Sequence, residues 1–452
     1  MRRSTIALTL VLANAHFAAD TQAEWQFAPA PGIKASGSVE LGFAAVSAPG
    51  TNFGAGRVNP HTGLASGDPT WGEAYVLPAL DWSTENVGRG QWYGRLSAVG
   101  AVTLGDGDPG GYSAGGDGEI DIEDAIIGWR SAIPGGDASQ PVFDLSFGRQ
   151  EINIGDGFLI DDGNFDFGDN SGVWLVPRQA FQRTAIGRVD YRALHTDLFY
   201  LEPDSDYDES AIAGANLEYR FALQGHLGLL FFTVVDTDSP RFFGPRDGMD
   251  VVSARINDFH PLAIPQIALW GEYARQSGRG RDGRFDAGAW YGEVIYTFTT
   301  ARWTPSVSYR YAYFSGDADP TDATRRDFDG FFYGYDQRGW GTWFQGEVTG
   351  GWLLFNNNQR NHLVKITALP SESVTTGVIV GTFHLNEANY LGIPVTADHF
   401  GDEINLYADW IVNEHATISA AYGVLFPGDA AIQAFGDNES YHIIEVGLWL
   451  SF

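Results

Sequence analysis

The chain predicts an all-β fold: a transmembrane antiparallel up-and-down β-barrel of about 18 strands, preceded by a cleaved signal peptide. Three observations carry that prediction. The stretch from Tyr441 to Phe452 alternates between apolar and small or polar side chains. The same alternation recurs upstream, divided by breaks that are short and long in turn. Beyond the N-terminus no stretch offers ~18 consecutive apolar residues, so there is no membrane-spanning helix.

At the start of the chain, Arg2 and Arg3 precede a short apolar run from Ile6 to Ala13. Small residues then supply two cleavage points, after Ala15 or after Ala23, of which the second is favoured. This is the pattern of a secretory leader over 1–23, followed by a barrel over 24–452. Composition suits an exported β-protein. Glycine occurs 57 times, 14% of residues are aromatic, and there is no cysteine to form disulfides or thiolate metal sites. A formal net charge of -30 argues against nucleic acid, which needs a basic footprint.

The strands follow from side-chain period. In the last segment Ile444, Val446, Leu448, Leu450 and Phe452 share one face, with Glu445, Gly447 and Ser451 on the other. At roughly 3.3 Å per residue it is about 35 Å long, which suits a tilted membrane crossing. Equivalent alternation appears at Ile404 to Val412, Ile418 to Phe426, Val307 to Tyr313 and Ala215 to Phe221. One face is apolar and aromatic, as lipid requires; the other is small, polar or charged, as a lumen allows. The predicted strands are 34–47, 73–84, 91–104, 119–131, 142–150, 181–190, 193–202, 211–221, 225–235, 248–258, 265–276, 286–298, 302–315, 362–369, 374–386, 402–412, 415–426 and 440–452. Short turns alternate with long acidic, Gly-rich loops, notably 151–180 and 316–361, which are expected to be extracellular. Segment 342–355 also looks strand-like, but a nineteenth crossing would break the even count, so it is expected in the outer part of its loop. Closure of the sheet leaves no unpaired edge in lipid, and about 18 strands enclose a lumen wide enough for water. An aromatic last residue on the lipid-facing register resembles the C-terminal signal of bacterial outer-membrane proteins, so the barrel is expected in the outer membrane, among lipid and lipopolysaccharide.

The most distinctive stretch is Phe147-Gly148-Arg149-Gln150-Glu151-Ile152-Asn153-Ile154-Gly155-Asp156-Gly157-Phe158, followed by Trp174, Pro177-Arg178, Ala180-Phe181 and Arg183. It resembles the alginate-export family of outer-membrane barrels, whose members share a Gly-Arg-Gln-Glu/Asp step, a Gly-Asp-Gly and a later Arg that re-enters the barrel. The resemblance implies an 18-stranded wall and passage of an anionic polysaccharide, with periplasmic export partners. Arginine stays protonated and presents a planar fork that fits carboxylates. A loop folded inward with Arg149, Arg178 and Arg183 facing Glu151 and Asp156 would form a charged constriction. Equally, these residues could pair only with each other and hold the loop. Arg95, Glu123, Arg220 and Arg310 are candidates to line the pore from the strands. The strand charges are mixed, however, whereas an alginate conduit should be positive along its wall.

Other chemistries find little support. Asp161 to Asp166 resembles part of a calcium loop, but the glycine spacing is wrong and Val173 stands where the twelfth-position Glu should be. No His-Glu-x-x-His, Gly-x-Ser-x-Gly or phosphate loop is present, so no enzyme, cofactor or metal is expected. The expected function is a passive outer-membrane channel for an anionic saccharide, polysaccharide or related small solute. The alternatives are a general or solute-specific uptake porin and, from another class, a barrel enzyme or adhesin acting through its acidic loops.

Overall fold

A computed structural model describes residues 25–452 except 59–64, 86–89, 132–139, 165–170, 206–208, 222–224, 239–244, 282, 335–337 and 343–344. The signal-peptide segment 1–23 therefore lies outside the described residues.

The wall consists of β1 (Ile33–Ser47), β2 (Thr70–Thr84), β3 (Gly90–Gly105), β4 (Gly118–Ser131), β5 (Val142–Gln150), β6 (Phe181–Tyr191), β7 (Leu194–Glu202), β8 (Glu209–Phe221) and β9 (Gly225–Asp238). It continues with β10 (Met249–Phe259), β11 (Ile267–Arg279), β12 (Arg284–Thr297), β13 (Ser306–Phe314), β14 (Gln359–Ser371), β15 (Val374–Leu385), β16 (His399–Asn413), β17 (Ala416–Pro427) and β18 (Tyr441–Ser451). All 18 predicted strands are present, their ends within four residues of those expected. Each pairs antiparallel with the next, and β1 pairs with β18, so the sheet closes. The chain belongs in the outer membrane, where only such a closed sheet satisfies its backbone without water.

The seam shows how closure is completed. Phe452 exchanges backbone hydrogen bonds with Val39 at 2.8 and 2.9 Å. Below that point β1 would have an open edge. An additional strand, Trp25–Ala30, covers it by pairing with residues 33–37. The sequence reading had not anticipated this strand, because it has no alternating pattern of its own.

Register explains the two faces. On β9, Leu229 and Phe231 are 57% and 47% exposed, while Leu230 and Phe232 are 2% and 0% exposed. The outward face is apolar, as expected. The inward face is not simply polar: Phe232, Val251, Phe314 and their neighbours are buried against Phe158, Leu159, Ile160, Phe331 and Phe332 of the two long loops. The loops enter the barrel and bring a hydrophobic core with them, so the upper lumen is packed rather than filled with water.

The same packing corrects the placement of 342–355. It is not a wall strand, as expected, but neither is it at the outside of its loop. Residues Thr349–Leu354 form a π-helical turn, and Val348, Leu353 and Leu354 are buried against the inner faces of β14 to β18. Its apolar side chains, which made it look strand-like, are satisfied by the lumen.

Substituting Phe231, which faces outward near the middle of β9, with Arg is expected to cost about 2–4 kcal/mol of barrel stability. Denaturant titration in lipid bilayers measures this.

Candidate functional site

The distinctive motif begins with a bulge. Gly148 has φ 120°, and a Cβ there would lie 2.0 Å from the carbonyl oxygen of Ala125. Only glycine fits. The pairing of β5 with β6 shifts register between Gly148 and Gln150, which turns both Arg149 and Gln150 inward. Gln150 donates to Thr184 Oγ1 at 2.5 Å. Arg149 donates to Asp204 and, at 2.9 Å, to the carbonyl of Glu123. On the adjacent strand, a second irregularity, between β3 and β4, turns Glu123 and Asp124 inward together.

Arg178, from the returning limb of loop 151–180, enters this acidic wall. It contacts Glu119 at 3.3 Å, Asp121 at 2.9 Å, Glu123 at 3.8 Å and Asp204 at 2.6 Å. Glu123 also accepts the backbone N–H groups of Gln179 and Ala180 at 2.7 and 2.8 Å. Earlier in the same loop, Glu73 accepts from the backbone of Trp174 and Leu175 at 3.0 and 2.9 Å, and Trp174 Nε1 donates to Glu445 at 2.8 Å. Arg149, Glu123 and Arg178 are thus brought together, with Asp204 as the missing partner.

Asp156 lies elsewhere. It accepts from Tyr291 at 2.6 Å and from Arg338 Nε at 3.0 Å, while Arg338 Nη2 reaches Glu293 at 2.9 Å. Arg338 belongs to the other long loop, 315–358, so this pair joins the two loops deep in the barrel. They are also joined by the backbone: Asp161 N donates to Phe332 O at 2.7 Å, and Gly334 N to Gly157 O at 2.8 Å. Arg310 donates to the carbonyls of Thr342 and Gly341 at 2.5 and 2.6 Å, and Lys365 to that of Trp340 at 2.9 Å. Glu403 accepts from the backbone of Val348 and Thr349 at 2.9 and 2.8 Å. Sequence reading missed Arg338 because nothing adjacent to it forms a motif. Arg95 faces inward between Asp81 and Asp124, at 2.8 Å from each.

Arg183 does not join the predicted constriction. It pairs with Glu202 across β6 and β7 on the outward register, with its side chain 70% exposed. The inward position beside it is taken by Thr184, and a one-residue step on a strand changes face.

Glu151 and Arg220 line a cavity of about 620 Å³ beneath the loops. Its roof is Glu151, Ile152 and Asn153, and its wall comes from the short-turn halves of β6 to β11. Arg220 is held near Asp190 and Glu218 at 3.8 and 3.6 Å. The acidic run Asp161 to Asp166, which only partly resembles a calcium loop, lies partly outside the described residues. Asp161 accepts from Asn153 at 2.5 Å, and Asp162 from Asn164 N at 2.9 Å.

At the long-loop rim, Arg246 grips Asp329 through two hydrogen bonds of 2.7 Å. Burial alone raises the Asp329 carboxyl, but the guanidinium beside it holds it below the ordinary value.

A family model described as alginate export matches residues 122–444. The structure is similar to those of OccAB2 from Acinetobacter baumannii (TM-score 0.56, 10% identity, 92% of this chain and 98% of that one) and OpdK from Pseudomonas aeruginosa (TM-score 0.54, 11% identity, 92% and 98%). OccK5 from Pseudomonas aeruginosa gives a TM-score of 0.52 at 10% identity over 92% and 98%. At such identities the likeness establishes the fold alone, that of an outer-membrane β-barrel. No curated protein matches the sequence.

Two outcomes follow for the interior. Arg338→Ala leaves Asp156 and Glu293 buried without their shared cation, a loss of roughly 3–5 kcal/mol in holding the loops. Hydrogen exchange of residues 315–358 should rise, whereas Arg183→Ala should leave it unchanged. Because the Asp329 pKa is lowered, its pairing contributes fully at neutral pH and is lost only as pH falls below about 4. Protease protection of the loop should therefore persist from pH 7 to 5 and decline under stronger acid.

Proposed function

Because the chain belongs to the alginate-export family of outer-membrane barrels, we propose that it is a selective channel for a saccharide or related small solute. The family and fold are those of channels rather than enzymes. The single observation that carries the selective reading is that both long loops fold into the lumen and leave a polar cavity at its short-turn end. A solute crossing such a barrel meets fixed side chains rather than bulk water. In this reading the long loops face outside, lipopolysaccharide surrounds their rim, and any export role needs periplasmic partners.

The nature of the solute divides two versions. An anionic saccharide is supported by the family description, with Arg149 and Arg178 as its cationic contacts. A small solute taken up without any role in polysaccharide export is supported by the charge pattern. Arg95, Arg149, Arg178 and Arg338 are each already faced by carboxylates, and Arg310 is spent on backbone carbonyls.

Planar-bilayer recording of the purified full chain tests both. The channel reading expects discrete single-channel currents that increase when loop 151–180 is shortened. A complete absence of current, with the loop intact and with it deleted, sinks it. Reversal potentials in a salt gradient then decide the solute: anion preference favours the anionic saccharide, and clear cation preference rules it out.

A further inference from the structure

The cavity under the loops has a composition that the constriction does not share. Its charges are mixed and largely fixed, with Glu151, Asp161, Asp197 and Glu218 among Arg188, Arg220 and two histidines. Arg188 lies 3.4 Å from Asp197, and His195 is held between Asp190 and Asp197 at 2.8 and 3.0 Å. Arg255 donates to Glu218 at 2.7 Å. The lining therefore presents no broad positive field to attract a polyanion.

What it presents instead is planar amides beside an aromatic ring. Asn153, Gln179, Asn216 and Asn257 all line the space. Asn216 is engaged on both sides, donating to Asp197 at 2.8 Å and accepting from Arg255 at 2.5 Å. Asn257 differs. It is 5% exposed, and among the described residues its side chain has no hydrogen-bond partner. Its amide opens onto the cavity with no protein group engaging it, so a ligand hydroxyl can pair with both its donor and its acceptor. Trp270 lines the same space, and the Arg338 guanidinium packs on its ring at 4.2 Å, which fixes the ring's orientation. An aromatic surface with a few placed polar groups is how a site orients a small ligand that has both apolar and hydroxyl-bearing faces. The volume, about 620 Å³, falls within the range of about 300–1,000 Å³ found for small-molecule sites.

We propose that this cavity is a binding subsite for a short uncharged saccharide, entered from the short-turn end of the barrel, with the Asn257 amide and the Trp270 ring as its specific contacts. Neutral hydroxyls use donors and acceptors alike, whereas a uronate carboxylate would meet Glu151, Asp197 and Glu218 with the nearby cations already paired. The proposal rests on the channel reading and names the solute class for one part of its route.

Titration calorimetry of the detergent-solubilised full chain tests it, with a neutral glucose disaccharide and a uronate disaccharide as probes. The neutral sugar is expected to bind with a dissociation constant on the order of 1 mM, weak enough for release from a conduit. It should bind more tightly than the uronate. Asn257→Leu, with its fold checked by heat-modifiable gel mobility, should weaken the neutral sugar roughly tenfold or more. If that variant does not fold, Trp270→Phe is read in the same way. Absence of neutral-sugar binding, tighter binding of the uronate, or wild-type affinity in the folded variant overturns the subsite. Calorimetry needs no ion flow. Lost binding with intact single-channel currents removes only the subsite, and absent currents with intact binding remove only the channel.

Discussion

The interior is organised by one kind of contact: a wall glutamate accepting two successive backbone N–H groups from an inward loop. Glu73 holds Trp174 and Leu175, Glu123 holds Gln179 and Ala180, and Glu403 holds Val348 and Thr349. A loop inside a barrel carries unpaired backbone groups into a space that cannot hydrate them all. A carboxylate satisfies two such donors at once through charge-assisted bonds. Three of these attachments, on β2, β4 and β16, fix where each loop lies against the wall. The apolar packing of Phe158, Leu159, Phe331 and Phe332 depends on that placement.

Acidic residues on the strands consequently have a structural meaning that composition alone does not convey. Glu73, Glu123 and Glu403 point into the lumen yet serve the loops rather than the passing solute. The arginines show the converse. Arg149 and Arg178 enter the barrel, where Glu119, Asp121, Glu123 and Asp204 neutralise them. Much of the charge inside the wall is internally matched, and the cavity around Glu151 and Arg220 is where solute chemistry has room to act.

The wall was legible in the sequence because a period of two, repeated over strands such as Tyr441–Ser451, is a local property and lipid enforces it on one face. The bulge at Gly148 was not anticipated: the sequence showed only that Gly-Arg-Gln ends a strand and opens a loop. The filling of the lumen was not legible either. Whether Val348, Leu353 and Leu354 belong inside or outside depends on partners on β14 to β18 that no neighbouring residue announces. Arg183 illustrates how narrow the margin is: it lies one residue from inward-facing Thr184, so the register at the end of the bulged strand decides its face. Arg338, isolated in sequence, became recognisable only through Asp156 and Glu293.

The pairing of Asp156 with Arg338 joins positions 182 residues apart. Such a contact gains little until the intervening chain has been brought together, since closing a long loop costs entropy before any contact repays it. Eight strands, β6 to β13, lie between the two partners. The interior is therefore assembled late, inside a cylinder whose sides already stand. A barrel caught before that step would have a complete exterior and a wide, unfurnished bore, so conductance during refolding should fall as the molecule matures.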